Sequence, residues 1–207
     1  RLHLVALSVP LFSQGVPFIH LGSDILRSKS MQRYSYDSGD WFNAVDFSYQ
    51  DNNWNKGLPR ADKDGDNWPL IRRIIVDPQA KPGSADIVAA KRRFLELLSI
   101  RSDSPLFQLE SAREVQRRLH FHNTGPEQLP GVIAFSLADN PRAGRDLDRR
   151  YSALMVVINA SDKRVRLPAA DGYRLHPVLK ASVDPINRQA TVSNGMFEVP
   201  AFTTTVF

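Results

Sequence analysis

LHLVALSVPLFSQGVPFIH, residues 2–20, sets the architecture that we expect for this chain. The first part carries apolar residues on every face at helical spacing, which predicts a helix buried nearly all round. Pro10 is expected to kink or end that helix. Gly15 then leads into the short apolar run 16–20, which predicts a strand buried on both faces, as in a parallel sheet or barrel.

A long polar segment follows this predicted strand. Residues 23–83 are rich in Asp, Asn, Ser, Gly, Trp and Tyr and have few periodic apolar positions. Loops of such length are uncommon in compact domains unless they carry a function. We therefore expect a functional loop with short helices inside it, for example at Trp68–Ile75.

The rest of the chain changes from helical to strand patterns. Ser84 is a predicted N-cap, and apolar residues recur at helical spacing from there to Arg101. Beyond Pro105 the sequence predicts short strands at residues 114–121, 131–137, 151–159, 173–178, 196–199 and 203–207. Their separators are rich in Gly, Pro, Asn and Asp, which favours an antiparallel sandwich.

The order of these elements predicts an α/β part followed by an all-β part. Residues 1–102 are interpreted as the last helix, strand, long loop and helix of a (β/α)8 barrel of the TIM type. Residues 103–207 are interpreted as an antiparallel β-sandwich. About 100 residues cannot close such a barrel, so we expect its other strands to precede Arg1 or to come from another chain.

Composition narrows the function classes. The chain has 207 residues with 42% hydrophobic and 24% charged content, as in a globular protein. The net charge of +5 is compatible with a nucleic-acid-binding protein. However, the basic residues are scattered and lie outside any aromatic, glycine-rich RNA-binding strand, so a solvated basic surface is the better interpretation. The absence of cysteine excludes disulfides and thiolate sites, and the apolar stretch at Leu2–Phe12 is too short to span a bilayer.

Active sites of such barrels lie in the loops after the strands, so the loop after residues 16–20 is the place for chemistry. It combines carboxylates, which bind hydroxyls, with flat aromatic rings, which stack on sugars: Asp37, Asp40, Asp46, Asp51, Asp62, Asp64 and Asp66 with Trp41, Phe42, Tyr49 and Trp54. This composition predicts a carbohydrate site. The alternative is a solvated loop pinned by a few buried aromatic residues.

Three other kinds of site are disfavoured. Asp62, Asp64 and Asp66 resemble a calcium loop, but the sixth and twelfth positions of an EF-hand would be Asn67 and Arg73. A turn with side-chain to backbone hydrogen bonds is the better interpretation. The 5 histidines have no metal-binding spacing, and no serine lies in a Gly-x-Ser-x-Gly elbow.

Several longer strings carry a family resemblance. They are QGVPFIHLGSDILRSKS at 14–30, SYDSGDWFNAVDF at 35–47, DNNWNKGLP at 51–59, DGDNWPLI at 64–71, SPLFQL at 104–109 and RLHFHNTGP at 118–126. Together they resemble the carboxy-terminal part of pullulanases and limit dextrinases, the debranching enzymes of the α-amylase superfamily. The resemblance covers nearly the whole chain.

The resemblance implies a retaining glycoside hydrolase that cuts α-1,6 branch points in pullulan, amylopectin and limit dextrins. Such an enzyme needs a nucleophile and an acid about 5–5.5 Å apart. In this family both come from earlier barrel strands, and no segment here matches those motifs, so the chain alone is expected to be inactive. The implied partners are an α-glucan and the remainder of the barrel, with no nucleic acid and no membrane span. No cofactor is expected, calcium in the parent enzyme being weakly supported, and the source stays open between a secreted or cell-surface bacterial enzyme and a plastid one.

The resemblance also implies substrate contacts. Arg33 and Asp66 match positions that bind sugar hydroxyls on the glycone side of the cut bond. Weaker candidates are Arg27, Asp37, Asp40, Trp41 and Asn43, with loop bracing as the alternative for Asp40 and Asn43 and a core position as the alternative for Trp41.

Two departures from the family pattern stand out. Asp24 stands where relatives carry Glu, and Tyr34 stands where they carry Asp.

The alternative function for this chain is a non-catalytic carbohydrate-binding or structural β-sandwich module.

Overall fold

A computed structural model describes residues 1–34, 36, 38–139 and 145–207. The chain divides into two compact units. Unit 1 contains Arg1–Phe18 and Arg93–Phe207, and unit 2 contains Ile19–Arg92. The predicted domain boundary between residues 102 and 103 concerns the native protein and stays a prediction.

Seven antiparallel strands form the two sheets of unit 1. The first sheet has the order β1-β2-β3-β7, with β1 at Leu119–Phe121, β2 at Val132–Ala138, β3 at Ala153–Asn159 and β7 at Thr203–Val206. The second has the order β4-β6-β5, with β4 at Val165–Pro168, β5 at Thr191–Ser193 and β6 at Met196–Val199. Side chains from both sheets form one apolar core around Phe197 and Phe207. The predicted antiparallel β region is therefore confirmed.

Helices of unit 1 begin with α1 at Leu2–Phe12, which buries Val5, Leu11 and Phe12. Ser8 of α1 shares a hydrogen bond of 2.6 Å with the hydroxyl of Thr204 in β7. The helix continues through Pro10 and ends two residues later at Phe12, so Pro10 does not itself end it. Two further helices, α5 at Ala112–Arg118 and α6 at Pro177–Lys180, lie in the β region.

A buried ion pair ties α5 to the first sheet. Arg118 is fully buried and donates to the carboxylates of Glu114 and Asp139. Asp139 in turn accepts from the backbone N–H groups of Leu147 and Asp148 at 2.9 and 2.6 Å. Because Arg118 and Asp139 are both buried, removing Asp139 would leave the Arg118 guanidinium with Glu114 as its one carboxylate partner among the described residues.

A second polar cluster joins the end of the long helix α4, Ser84–Asp103, to the β region. The hydroxyl of Tyr151 donates to Asp103 at 2.7 Å, and Nε2 of His176 lies 3.3 Å from the same carboxylate oxygen. The backbone N–H of Val178 donates to Nδ1 of His176, so Nε2 carries the proton of the neutral ring. Burial lowers the pKa of His176 and outweighs the charge of Asp103. Burial and the bond to Asp103 raise the pKa of Tyr151 to about 12.

Unit 2 contains little regular structure, as its polar sequence predicts. Its helices are α2 at Ala61–Asp64, α3 at Trp68–Ile75 and the beginning of α4, and short 3-10 turns lie at Ser23–Ile25, Asp40–Phe42, Gly65–Asn67 and Pro78–Ala80. The helix predicted at Trp68–Ile75 is confirmed, and it buries Ile71 and Ile75. Two indoles of this unit are hydrogen-bonded: Trp54 donates to the carbonyl of Ile75 at 3.2 Å and Trp68 to that of Pro59 at 2.8 Å.

The strand predicted at residues 16–20 is absent. This segment has no regular secondary structure, and Val16 and Phe18 are 80% and 89% exposed. A strand needs a neighbour to satisfy its backbone groups, and within the described ranges no strand pairs with it. The barrel end is therefore not formed by this chain alone.

Two strand predictions in the β region are also wrong. Residues 114–121 begin as helix α5 and only end as β1, because Ser111 caps the helix by accepting from the N–H of Glu114. Residues 173–178 do not form a strand, since Pro177 occupies the first turn of α6 and His176 caps it. Strands β4 and β5 were not predicted.

Within the part of the chain that the structure describes, no helix combines the length and apolarity needed to cross a bilayer.

Candidate functional site

The candidate residues lie in unit 2, where side chains rather than regular structure fix the backbone. The segment around Ser30 is joined to that around Asn53: Ser30 donates to the carbonyl of Asn53 at 3.0 Å and accepts from the N–H of Lys56 at 2.8 Å. Asn52 donates to the carbonyl of Leu26 at 2.8 Å. Several of these residues have positive φ angles, which short polar side chains tolerate better than most. The loop is therefore ordered by its own Asn and Ser residues.

Gln32 anchors the turn that carries Arg33. Its buried amide donates to the carbonyl of Tyr34 at 3.0 Å and to the hydroxyl of Ser38 at 2.7 Å. Its oxygen accepts from the backbone N–H of Arg60 at 3.2 Å. Since Arg60 directly precedes α2, this one side chain fixes the position of Arg33 relative to that helix.

The guanidinium of Arg33 is bound to α2 through Asp64. Nε and Nη2 of Arg33 donate to the same oxygen of Asp64, at 3.0 and 2.6 Å. The side chain of Arg33 is 59% exposed, whereas that of Asp64 is 2% exposed. The hydrogen bond and charge of Asp64 raise the pKa of Arg33 above its usual value. Arg33 thus presents a fixed, exposed cation to solvent.

Asp66 follows two residues after Asp64, in the 3-10 turn Gly65–Asn67. It is exposed, and its carboxylate has no hydrogen-bond or ion-pair partner within the described residues. Asn67, at the end of the same turn, donates to Asp64 at 3.3 Å. Arg33 is thus bound to Asp64, and Asp66 lies two residues after Asp64 in the sequence; both Arg33 and Asp66 are open to solvent.

Trp41 is 43% exposed, so it is not a core residue. Its ring stacks on Phe42, with ring centroids 3.3 Å apart. A Cβ atom at Gly39 would lie 2.7 Å from Nε1 of Trp41, and one at Gly57 would lie 2.7 Å from Cη2, so only glycine fits under either end of the ring. Gly57 also has a φ of +143°, which other residues rarely adopt. The indole is therefore packed closely against the backbone of both glycines while part of it stays open to solvent.

The weaker candidates are more involved in holding the loop. Arg27 donates to the carbonyl of Asn43 at 3.3 Å and contacts the ring of His20 at 3.4 Å. Asp40 begins the 3-10 turn that carries Trp41, and its carbonyl accepts from the N–H of Asn43 at 2.8 Å. The carboxylate of Asp40 is exposed, and Asn43 is partly exposed. Asp37 lies outside the described residues.

Other acids of the loop have structural partners. Asp46 accepts from the backbone N–H groups of Ser48 and Asp51, both at 2.8 Å. Hydrogen bonds from the side chain of Ser48 and from these two backbone groups lower the pKa of Asp46. Asp51 pairs with Lys56, which lowers the pKa of Asp51. No cluster of His and acidic residues suited to a metal occurs in the described part of the chain.

Sequence reasoning missed three residues that shape the site, Gln32, Gly39 and Gly57, and named Asp64 only among the acids of the loop. A glycine pair 18 positions apart, or an ion pair between Arg33 and a carboxylate 31 positions away, leaves no periodic signal. The composition of the loop indicated that acids and aromatics would matter, but not which acid would be buried.

The comparisons with known proteins bear on the whole chain. A protein family described as "Alpha-1,6-glucosidases, pullulanase-type, C-terminal" matches residues 49–207. The chain belongs to this pullulanase-type family. The suspected resemblance is thereby confirmed.

Individual relatives agree with this assignment. The pullulanase-type chain is 46% identical to "Pullulanase 1, chloroplastic" of Arabidopsis thaliana over 216 residues, which span 100% of this chain and 22% of that protein. The crystal structure of PulA from Klebsiella oxytoca superposes with a TM-score of 0.91 at 36% identity, over 99% of this chain and 20% of that one. A Klebsiella pneumoniae pullulanase complexed with maltotriose superposes with a TM-score of 0.88 at 35% identity, over 99% and 20%. The pullulanase-type chain thus spans about a fifth of the length of these relatives.

Proposed function

We propose that this chain provides a glucan-binding wall for a debranching enzyme that hydrolyses α-1,6-glucosidic bonds in pullulan, amylopectin and limit dextrins. The observation that carries the proposal is that unit 2 holds both an exposed guanidinium bound to a buried carboxylate and a partly exposed indole. Arg33 is hydrogen-bonded to Asp64, and the ring of Trp41 packs closely against Gly39 and Gly57.

These two groups suit the two chemical surfaces of a glucose unit. The planar fork of arginine donates to two adjacent hydroxyls, and a carboxylate such as Asp66 accepts from hydroxyls. The open part of the Trp41 ring offers a flat apolar surface for the C–H face of the sugar. Arg27 and Asn43, together with Asp40, would hold the turn beneath the indole.

The reaction itself needs two carboxyl groups that this chain is proposed not to supply. In a retaining mechanism one acts as nucleophile and the other donates the proton to the leaving oxygen, at a separation of about 5–5.5 Å. The loop carboxylates that bind backbone N–H groups or cations, such as Asp46 and Asp51, are occupied and do not fit either role. The chain would therefore position the glucan, while groups outside residues 1–207 perform displacement and proton transfer.

The proposal extends to the architecture of the native protein. Residues 1–102 would complete a (β/α)8 barrel, with residues 16–20 as a strand once neighbouring strands are available. The exposure of Val16 and Phe18 supports this, since two large apolar side chains are open to solvent in this chain alone. Residues 103–207 would form the sandwich that follows the barrel.

Two measurements test the proposed function. The protein at its native length should release reducing ends from pullulan, whereas the chain of residues 1–207 alone should not. Maltotriose titrated into the native-length protein should bind saturably, and Arg33→Ala should weaken that binding about ten-fold or more, since charge-assisted hydrogen bonds contribute about 1.5–3 kcal/mol. Turnover of pullulan by residues 1–207, or unchanged affinity in Arg33→Ala, would contradict the proposal.

A second candidate function is carbohydrate binding by the β region itself. A groove of about 700 Å³ in unit 1 is lined by Tyr151, Tyr173, Arg174 and Lys180, among others, and so offers aromatic and hydrogen-bonding groups. Tyr173 is half-buried against Phe197 and would offer only part of its ring. If this groove holds glucan, Tyr173→Ala should weaken maltotriose binding while Arg33→Ala does not.

A further inference from the structure

Asp64 differs from the other acids of unit 2 in being buried. It is 3% exposed, and one of its oxygens accepts all three of its described hydrogen bonds, two from Arg33 and one from Asn67. Its other oxygen, Oδ2, is buried and has no hydrogen-bond partner among the described residues. The carboxylate is thus half satisfied.

Such a carboxylate is a poor choice for stability alone. Taking a charge out of water is costly, and an unpaired buried oxygen adds to that cost. The ion pair offsets little of this free-energy cost, because its other member, Arg33, is largely exposed and screened by solvent. A neutral side chain of similar size would stabilise the end of α2 at least as well. The charge of Asp64 therefore calls for an explanation other than folding.

The geometry of the pair supplies that explanation. Both bonds run to one edge of the guanidinium, from Nε and Nη2, so the plane of the group is fixed. Nη1 makes no hydrogen bond to a described residue and lies on the edge away from Asp64. The ring of Tyr34, 5.4 Å from the guanidinium, limits its tilt further. An arginine ordered in this way loses less side-chain entropy when it binds a ligand.

We propose that Asp64 is a positioning residue, which holds the guanidinium of Arg33 in the orientation that binds adjacent hydroxyls of a glucan. This inference rests on the proposed function of the site. It assigns the buried acid a role through Arg33 and none in contact with sugar.

Asp62 provides a matched control two residues away on the same helix. It pairs with Arg60 through two bonds of 2.9 and 3.0 Å, but both side chains of that pair are exposed. Asp62→Asn therefore removes the same charge from α2 without touching Arg33.

The test compares Asp64→Asn with Asp62→Asn in the native-length protein, by calorimetric titration with maltotriose. Asp64→Asn should weaken binding roughly five- to twenty-fold, because asparagine can no longer hold the guanidinium by two charge-assisted bonds. Asp62→Asn should stay within about two-fold of the wild type. Equal affinity of Asp64→Asn and the wild type would overturn the proposal.

A double substitution separates positioning from a structural role. If Asp64 acts only through Arg33, Asp64→Asn should cause no further loss of affinity in an Arg33→Ala background. A loss of the same size in both backgrounds would mean that Asp64 supports the fold in general, and the proposal would be wrong. If Arg33→Ala itself binds maltotriose normally, the proposed function fails first, so the two failures are distinguishable.

Arg33→Lys covers the case in which Asp64→Asn does not fold. Lysine keeps the charge opposite Asp64 but has no second donor arm to be oriented. Its affinity should fall as far as that of Arg33→Ala, to within about three-fold. Wild-type affinity in Arg33→Lys would show that orientation does not matter and would refute the role of Asp64.

Discussion

Gly39→Ala is expected to weaken glucan binding through the position of one ring. Gly39 has a φ of −60°, so alanine fits its backbone without strain. The added Cβ would lie 2.7 Å from Nε1 of Trp41, and ordinary contact begins at 3.4 Å, so the ring must move by about 0.7 Å. Gly57 is less suitable for this test, because its positive φ would add backbone strain to the steric effect.

The size of the effect follows from this displacement. A shift of about 0.5–1 Å forfeits about a quarter to a half of a dispersion contact. Removing a well-packed interfacial tryptophan costs about 2 kcal/mol or more. Gly39→Ala should therefore cost about 0.5–1 kcal/mol, or roughly a two- to five-fold rise in Kd for maltotriose. Trp41→Ala should cost the full amount.

Calorimetric titration of the native-length protein measures both variants, and thermal unfolding checks that they are folded. Gly83→Ala is the control, since its Cβ would meet no atom closer than 3.7 Å. If Gly39→Ala binds maltotriose as the wild type does while Trp41→Ala is weakened, the ring need not be held where the glycines hold it. If Trp41→Ala also binds normally, the indole does not stack on sugar.

Three further predictions concern stability. Burial holds the pKa of His176 below its ordinary 6.5, so the unfolded state takes up the proton first as the pH falls, and the free energy of unfolding should decrease below about pH 6.5. In urea unfolding, His176→Gln should make this decrease smaller. His122, whose pKa is lowered in the same direction, would account for the decrease that remains. Asp139→Ala should cost about 3 kcal/mol in urea unfolding by leaving buried Arg118 short of a partner, and a loss below 1 kcal/mol would argue against that ion pair. Asn53→Ala should lower the free energy of unfolding, measured by thermal unfolding, by about 2–3 kcal/mol. Asn53→Gly should lower it less, because glycine tolerates the φ of 67° and only the side-chain hydrogen bonds are lost.

Strong apolar periodicity explains what could be predicted from the sequence. The helix at Leu2–Phe12 and the strand at Met196–Val199 match their predicted bounds closely. Each has buried positions at the spacing of its element. The short strands β4 and β5 were missed, because three or four residues with exposed positions give little pattern.

One helix could have been found. Ser111, followed three residues later by Glu114, is a capping-box sequence, and it starts α5 where a strand was predicted. The apolar residues that follow drew the strand interpretation toward the beginning of the segment. The missing strand at residues 16–20 has another cause: the apolar pattern is typical of a buried strand, but a strand also needs a paired neighbour, and none of the described strands pairs with this segment.

The site was predictable only in part. Composition pointed to the loop, and family resemblance pointed to Arg33 and Asp66. The partner of Arg33 depends on where the turn after Gln32 meets α2, which is a tertiary contact. Likewise, the two glycines beneath Trp41 become meaningful only once the loop has folded back on itself.

The hydrogen bond between Ser8 and Thr204 joins two residues that the ribosome synthesises 196 residues apart. Until β7 has left the ribosome, α1 lacks this hydrogen bond and one of the two strands, β3 and β7, that pack against it. Closing so long a loop costs little extra free energy, since that cost grows only with the logarithm of length, but it slows folding. A nascent chain arrested before Thr203 should therefore bind a holdase longer than one from which β7 has already emerged.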